Sequence, residues 1–299
     1  MTTNELATKA IGLTEEYTTK QIFFNVPDNI VQSKWAVHAG GSMWMAGPLT
    51  ADSLPAGIYN TGSNMQGSYL ETVEFKTDTL IALSDDPSSE VMDHIKDFWT
   101  KESKFREFGF TYKRGILLYG PPGGGKSSTI FQLSAEFVRK NGIVLLVDYP
   151  GDCAGCLNMI KKLEPGRKII VIMEDIDTII QYYGDRKLTH LLDGGADVDG
   201  IVFVATTNYP ERLPARLLNR PSRFDIVKYI GMPSEAARRD YINALINNLV
   251  VDTEQLVMAT EGLGIAQIKE VILLTQVFDQ TIEEAVNNVK NIGRNLISE

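Results

Sequence analysis

A glycine-rich stretch that ends in a lysine and a serine, residues 120–127, has the spacing of a phosphate-binding loop. It reads GPPGGGKS and satisfies the pattern G-x-x-x-x-G-K-[ST]. Glycines let backbone N–H groups surround phosphate oxygens without obstruction by Cβ atoms, and the helix that follows adds the positive end of its dipole. In such a loop Lys126 contacts the β- and γ-phosphates of ATP, and the Ser127 hydroxyl binds Mg²⁺. The residues expected to bind the nucleotide are Gly120, Pro121, Pro122, Gly123, Gly124, Gly125, Lys126, Ser127 and Ser128.

Two acidic residues, Glu174 and Asp175, directly follow the apolar run IIVIM at 169–173. Ligands of open α/β sheets bind where parallel strands end, so these carboxylates are expected beside the phosphate loop. We expect Glu174 to bind Mg²⁺ together with Ser127, and Asp175 to orient or activate the attacking water. In an acidic pair that accompanies a phosphate loop the usual order is Asp then Glu. The reversed order here puts the shorter side chain at the position of the attacking water. The alternative for an isolated pair is a solvated acidic helix N-terminus.

Further polar residues follow the next apolar run, GIVFVA at 200–205. Asn208 follows that run after two threonines, where its amide can hold the water or touch the γ-phosphate, although asparagine is also common in turns. Arg220 and Arg223, spaced by three, suit a joint presentation to an anion. We expect them to act as arginine fingers on the ATP of a neighbouring subunit, and we expect Arg216 to be a surface residue.

Apolar runs alternate with helical segments from residue 115 onward, which predicts an α/β fold with a parallel sheet covered on both faces. The runs are GILLY (115–119), IVLLVD (143–148), KIIVIM (168–173) and GIVFVA (200–205). Residues 1–90 contain short strand-like runs and an opening helical segment near Asn4–Lys20. The sequence therefore predicts a small β-rich N-terminal domain at 1–90, a large α/β nucleotide-binding subdomain at 91–232, and a helical lid at 233–299.

Composition limits the function further. The chain has 299 residues, with 29 Lys and Arg against 38 Asp and Glu, a net charge of −9. This acidic balance disfavours nucleic-acid binding. Two cysteines alone cannot complete a four-ligand zinc site. The sequence shows no signal peptide and no run of about 20 apolar residues, so we expect a cytoplasmic protein that does not bind a membrane.

The motifs together resemble the AAA family of ring-forming ATPases. The segments that carry the resemblance are RGILLYGPPGGGKS, IIVIMEDID, VFVATTN and LNRPSRFD. Within the family the lead-in FREFGFTYKRG, the Glu-Asp order and LTHLLDGG are most similar to the subgroup of Rieske-protein translocases and their bacterial relatives. The resemblance implies a five-stranded parallel sheet with a helical lid, and homo-oligomeric rings of six or seven subunits. It also implies that the neighbour's Arg220 and Arg223 complete each ATP site.

Three functions are compatible with these motifs. The first is a ring that uses ATP and Mg²⁺ to remodel or translocate a protein partner, and the second is a nucleic-acid loader or remodeller. The third is a nucleotide-gated adaptor with low turnover. The net charge favours the first over the second, and the intact acidic pair with both arginines disfavours the third. Tyr149-Pro150-Gly151 is either a loop that lines the pore of such a ring or a tight turn.

Overall fold

The computed structural model describes residues 34–38, 43–47, 53–73, 81, 83–85, 87–193, 199–220, 222–246 and 252–292. The helix predicted near Asn4–Lys20 lies outside the described residues. The strands are β1 (Lys34–His38), β2 (Met43–Gly47), β3 (Gly57–Asn64), β4 (Gly67–Thr72), β5 (Lys113–Tyr119), β6 (Ile143–Leu146), β7 (Ile169–Met173), β8 (Ile201–Thr207) and β9 (Ile226–Tyr229). The helices are α1 (Ser88–Thr100), α2 (Glu102–Glu107), α3 (Lys126–Arg139), α4 (Pro150–Leu163), α5 (Ile176–Tyr183), α6 (Asp185–Asp193), α7 (Ala215–Leu218), α8 (Glu235–Leu245), α9 (Thr253–Ala259), α10 (Ile265–Gln276) and α11 (Ile282–Ile292).

The described strands join in one nine-stranded sheet, in the order β1-β2-β4-β3-β6-β7-β8-β5-β9. Strands β5 to β9 all run parallel to their neighbours, which confirms the predicted α/β class. Every residue of β7 and β8 is buried. This is the reason that these strands read as unbroken apolar runs and not as an alternation of apolar and polar residues.

Helices cover both faces of the sheet and create two apolar cores. On one face α1 contributes Val91, Ile95 and Phe98, which recur about once per helical turn, and α3 contributes Ile130 and Leu133. The other face is covered by α4 and α6, whose buried side chains include Leu157, Ile160, Leu188 and Leu191. Each fully buried Leu or Ile contributes about 1.5–3 kcal/mol to the free energy of unfolding. The sheet is therefore a rigid platform for the loops at its carboxyl edge.

The N-terminal strands continue this sheet. Strand β3 pairs in parallel with β6, from Gly57 beside Ile143 to Asn60 beside Leu146. Trp44 and Leu70 lie in the same apolar core as α4 and α6. The β-rich character predicted for this part of the chain is present, but β1–β4 do not form a sheet of their own. The domain limits at residues 90 and 232 stay predictions.

A helical unit of α8 to α11 follows the last strand. Its own core contains Ile242, Leu256, Ile268 and Val286. The Ser234 side chain accepts a hydrogen bond from the Ala237 N–H and thereby caps α8, an arrangement worth about 1 kcal/mol of stability. None of the helices in the described part of the chain is long and apolar enough to cross a lipid bilayer.

Candidate functional site

The predicted phosphate loop connects the end of β5 to the start of α3. Gly120, Gly123 and Gly125 have φ angles of 154°, 81° and 101°, a region that residues with a side chain rarely adopt. A Cβ atom on Gly120 would also collide with the carbonyl oxygen of Ile230. The glycines thus serve two purposes, since they permit the turn and they let β9 approach it.

Lys126 is the first residue of α3, and it is 6% exposed. Its ammonium group donates to the carbonyl oxygens of Gly120 and Pro121, both at 2.8 Å. Burial lowers the pKa of Lys126, and the negative charges of Asp175 and Asp177 partly oppose this effect. Among the described residues, the hydrogen bonds of this buried cation go to neutral carbonyls, and such a cation is well suited to exchange them for an anionic phosphate.

Ser127 and Glu174 meet as the sequence predicts. The Ser127 hydroxyl donates to Oε2 of Glu174 at 2.8 Å, so one hydroxyl and one carboxylate converge next to the phosphate loop. Mg²⁺ in proteins is bound by a few oxygen ligands of this kind, together with water and phosphate oxygens. The residues present therefore fit a magnesium ion, and Ser127 and Glu174 are the ones that would bind it.

Asp175 has an unusual backbone. Its φ and ψ angles are 45° and 55°, in the left-handed region, which costs a residue with a side chain on the order of 1–3 kcal/mol. Its backbone N–H donates to Oγ1 of Thr206 at 3.0 Å. Its exposed carboxylate accepts a hydrogen bond from Nδ2 of Asn208 at 3.1 Å. The structure thus brings together Asn208 and Asp175, which the sequence assigns to the attacking water.

Asp177 is an acidic residue to which the sequence assigned no role. Its Oδ1 accepts a hydrogen bond from the Thr207 hydroxyl at 2.6 Å, and the Thr207 oxygen accepts one from the Tyr209 N–H at 3.0 Å. The end of β8 is therefore hydrogen-bonded to two carboxylates of the segment after β7. The repeated acidic-apolar-acidic pattern at 175–177 was the available signal.

The two predicted arginine fingers lie elsewhere, around the carboxylate of Asp193 at the end of α6. Arg223 is 5% exposed and contacts this carboxylate through Nε at 2.8 Å and through a second nitrogen at 2.6 Å. Its third nitrogen donates to the carbonyl oxygen of Arg216. The side chain of Arg220 is exposed and reaches the same carboxylate at 3.2 Å. Within the described residues, no hydrogen bond of either arginine reaches the phosphate loop.

This placement separates the two arginines. Arg220 is accessible to another molecule, as a finger must be. Arg223 is buried and hydrogen-bonded within its own chain, and this departs from the expectation of a side chain that reaches across an interface. Its Asp193 partner raises the pKa of Arg223 further above the usual value. Arg216 is exposed, as predicted, and pairs with Asp185. The catalytic roles of both fingers stay predictions.

A cavity of about 310 Å³ opens beside the phosphate loop. It is lined by loop and helix residues that include Gly125 and Ser128, by Ser84 and Asp85, and by residues 229–233. The helical lid contacts the phosphate loop itself, since the Ile265 N–H donates to the carbonyl oxygen of Gly123 at 3.2 Å. The cavity is of a size that accepts part of a small ligand, and its position suits the nucleoside of a nucleotide whose phosphates occupy the loop.

The segment Tyr149-Pro150-Gly151, left open between a pore loop and a turn, is the start of a helix. Tyr149 precedes α4 as its N-terminal cap and Pro150 is its first residue. The Tyr149 hydroxyl contacts the amino group of Lys187, which also lies 4.5 Å from the ring centre. The ring of Tyr183 lies 5.0 Å away. Tyr149 is therefore fixed by its own chain and is not part of a long free loop.

Comparison with known proteins agrees with this geometry. The family described as "ATPase family associated with various cellular activities (AAA)" matches residues 116–232. The chain is 29% identical over 235 residues to the probable mitochondrial chaperone BCS1-A of Dictyostelium discoideum, covering 71% of this chain and 54% of the relative. It is 30% identical over 211 residues to the mitochondrial chaperone BCS1 of Danio rerio, covering 63% and 50%.

A bacterial relative is named for a different activity. The chain is 29% identical over 236 residues to the ATP-dependent zinc metalloprotease FtsH of Rhodococcus erythropolis, which covers 68% of this chain and 28% of the relative. The chain thus spans about half the length of the BCS1 relatives it matches, and less of the protease. The matched family region, residues 116–232, holds the phosphate loop, both acidic residues and both arginines. Residues 116–232 are therefore a domain of the AAA family of ATPases.

Proposed function

We propose that this chain hydrolyses ATP with Mg²⁺ as a ring-shaped homo-oligomer, a hexamer or heptamer, and that it uses the energy to remodel or translocate a protein partner. One observation carries the proposal. The phosphate loop, Glu174, Asp175 and Asn208 form one connected group within the chain, whereas the exposed Arg220 is bound elsewhere. Such a division suits an ATP site that a second subunit completes.

Each residue of the connected group has a distinct part in the proposed reaction. Lys126 leaves the two loop carbonyls and binds the β- and γ-phosphates, while the loop N–H groups hold the phosphate oxygens. Ser127 and Glu174 hold Mg²⁺, which supplies positive charge to the phosphate oxygens. Asp175 accepts a hydrogen bond from the attacking water and, with Asn208, directs it toward the γ-phosphorus.

The arginines provide the link between hydrolysis and assembly. Arg220 has an exposed side chain, and in the described part of the chain it pairs with Asp193, so it is able to turn toward a neighbouring subunit. A cation placed at the transferred phosphate stabilises the charge that develops in the transition state. Arg223 is bound on all three nitrogens and is able to act in the same way only after Asp193 releases it.

A protein partner fits the chain better than nucleic acid. The net charge of −9 opposes binding to a polyanion. The relatives are named as chaperones and a protease, both of which act on proteins. We extend this partner class to the present chain, without the particular substrate of any relative. The cytoplasmic location stays a prediction.

The test measures ATP hydrolysis and mass together. The purified chain is assayed for steady-state phosphate release across a hundredfold range of protein concentration, and its mass is determined by light scattering with and without Mg·ATP. We expect the rate per subunit to rise with concentration in parallel with the formation of large oligomers. A monomer that hydrolyses ATP at a rate independent of concentration would contradict the ring.

The partner class needs a separate experiment. An Asp175→Asn chain, expected to bind ATP without hydrolysing it, is used to capture proteins in the presence of ATP. Lys126→Ala, expected not to bind ATP, is the matched control. We expect proteins that are retained by the first variant and absent with the second. Stimulation of the ATPase rate by DNA or RNA, and not by the captured proteins, would favour the nucleic-acid alternative.

A further inference from the structure

The position of the Asp175 carboxylate is determined more by its backbone than the position of a glutamate would be. Aspartate has two side-chain torsions, one fewer than glutamate, and its side chain is one methylene shorter. A left-handed backbone at this residue, with φ of 45° and ψ of 55°, therefore decides where the carboxylate points. Whatever fixes that backbone also fixes the geometry of the attacking water.

Thr206 is in a position to fix it. This residue is 2% exposed and is the sixth residue of β8. Its Oγ1 accepts the N–H of Asp175 at 3.0 Å, and the side chain of Asn208 donates to Oδ1 of Asp175 at 3.1 Å. Asp175 is thus bound at its backbone by Thr206 and at its carboxylate by Asn208, which directly follows β8.

The neighbouring Thr207 does not share this role. Its hydroxyl is used on a different carboxylate, since it donates to Asp177 at 2.6 Å. Because β8 is held in the middle of the sheet between β7 and β5, its backbone is a rigid support for both threonines. The rigidity of the sheet is transmitted to Asp175 through one buried hydroxyl.

We propose that Thr206 is a positioning residue for ATP hydrolysis: by accepting the Asp175 N–H, it holds the left-handed backbone that directs the Asp175 carboxylate at the attacking water. The inference rests on the proposed function, because it assigns Asp175 to that water. Thr206 acts through Asp175 and need not touch the nucleotide itself.

The test compares Thr206→Val, which keeps the shape and removes the acceptor, with Thr206→Ser, which keeps the acceptor. Thr260→Val is the matched control, since Thr260 is fully buried and its hydroxyl donates to carbonyl oxygens within the lid, at 2.7 and 3.3 Å. Readouts are kcat and KM for ATP, the affinity for a fluorescent ATP analogue, and the thermal midpoint.

We expect Thr206→Val to lower kcat on the order of 10-fold or more, because small displacements of reacting groups have large effects on rate. The KM and the analogue affinity should change less than about twofold, and Thr206→Ser should restore most of kcat. Thr260→Val should lower the thermal midpoint about as much as Thr206→Val does, but it should not lower kcat. In an Asp175→Asn background the Thr206→Val change should have no further effect on residual turnover.

Three results would overturn the inference. One is a wild-type kcat in Thr206→Val, and another is a loss of kcat that Thr206→Ser does not restore. The third is an equal loss from Thr206→Val in the Asp175→Asn background. A wild-type chain no more active than Lys126→Ala would overturn the proposed function and this inference with it. If instead the wild type is active and Thr206→Val has the same kcat, only the inference is overturned.

Discussion

Two groups of residues are held in different ways within the chain: the phosphate-binding group (the loop at 120–128 with Glu174, Asp175 and Asn208) and the arginine element (Arg220 and Arg223). Around the loop, the polar side chains contact one another across consecutive strand ends, as in the pairs Ser127–Glu174 and Asp175–Asn208. The arginines instead share one carboxylate, that of Asp193. The first region is arranged for a ligand that binds within the chain. The arginines of the second region are held by a carboxylate of their own chain, Asp193, which agrees with our proposal that they act on the ATP of another subunit.

This difference predicts that the two regions respond differently to mutation. Changes in the phosphate-binding group should affect each subunit independently of its neighbours. Changes in the arginine element should depend on the composition of the ring. The variants below compare the two regions, from the largest expected effect to the smallest.

Lys126→Ala should have the largest effect. It removes the buried ammonium group that donates to the carbonyls of Gly120 and Pro121, and with it the charge that binds the phosphates. We expect no measurable ATP binding by calorimetry and no turnover. Lys140→Ala is the control, since Lys140 is an exposed lysine near the end of the same helix. ATP affinity at the wild-type level in Lys126→Ala would contradict the assignment of the loop.

Arg220→Ala should leave ATP binding intact and lower kcat roughly 10³-fold, the smaller end of the range known for arginine fingers. Mixed rings test whether it acts across an interface. Subunits that carry Lys126→Ala but retain Arg220 should restore part of the activity of Arg220→Ala subunits. Arg216→Ala, an exposed arginine four positions earlier, should lose little activity. No recovery in mixed rings would indicate that Arg220 acts within its own chain or not at all.

Asp175→Asn should retain ATP binding and lower kcat about 100-fold or more, because the variant can no longer take a proton from the water. Glu174→Gln should mainly raise the Mg²⁺ concentration needed for half-maximal activity, because a ligand of the ion loses its charge. Titration of both variants with Mg²⁺ separates these roles. If Glu174→Gln binds ATP without turnover while Asp175→Asn hydrolyses it normally, the two assignments are reversed.

The sequence alone predicts the phosphate-binding group better than the arginine element, for a physical reason. The glycine loop, Lys126 and Ser127 are consecutive, and Glu174 and Asp175 end an apolar strand, so chain order and the common edge of parallel strands place them together. Asp193 escaped prediction because its partners lie 27 and 30 positions later. Nothing in the sequence pattern LTHLLDGG distinguishes this carboxylate from an ordinary helix end.

The N-terminal strands show the same limit. The sequence predicts short strands in this part of the chain, but periodicity does not name the partner of each strand. The pairing of Gly57 with Ile143 joins residues that are 86 positions apart, and it turns an expected separate sheet into an extension of the large one. Thr206 is a comparable case. From the sequence alone, a threonine that makes a specific hydrogen bond at the end of an apolar run cannot be distinguished from one that is present for its ordinary strand propensity.

Asp193→Asn is expected to have the smallest effect of these variants. The pH dependence of its stability tests whether the charge of Asp193 holds the arginine element. The hydrogen bond from Arg223 is the main cause that lowers the pKa of Asp193 below its usual range. A carboxyl group with a lowered pKa in the folded state stabilises the fold fully above its unfolded pKa of about 3.9, and this stabilisation is lost as the pH falls through the folded value. At pH 7 we expect Asp193→Asn to lower the free energy of unfolding by about 1–2 kcal/mol. The difference in the free energy of unfolding between wild type and variant should shrink below about pH 4, because the wild-type carboxyl then becomes neutral as well.

Urea unfolding at several pH values measures this difference. The control is Asp97→Asn, because Asp97 forms an exposed pair with Lys101. A difference that stays constant down to pH 3 would show that Asp193 does not hold the arginines by its charge.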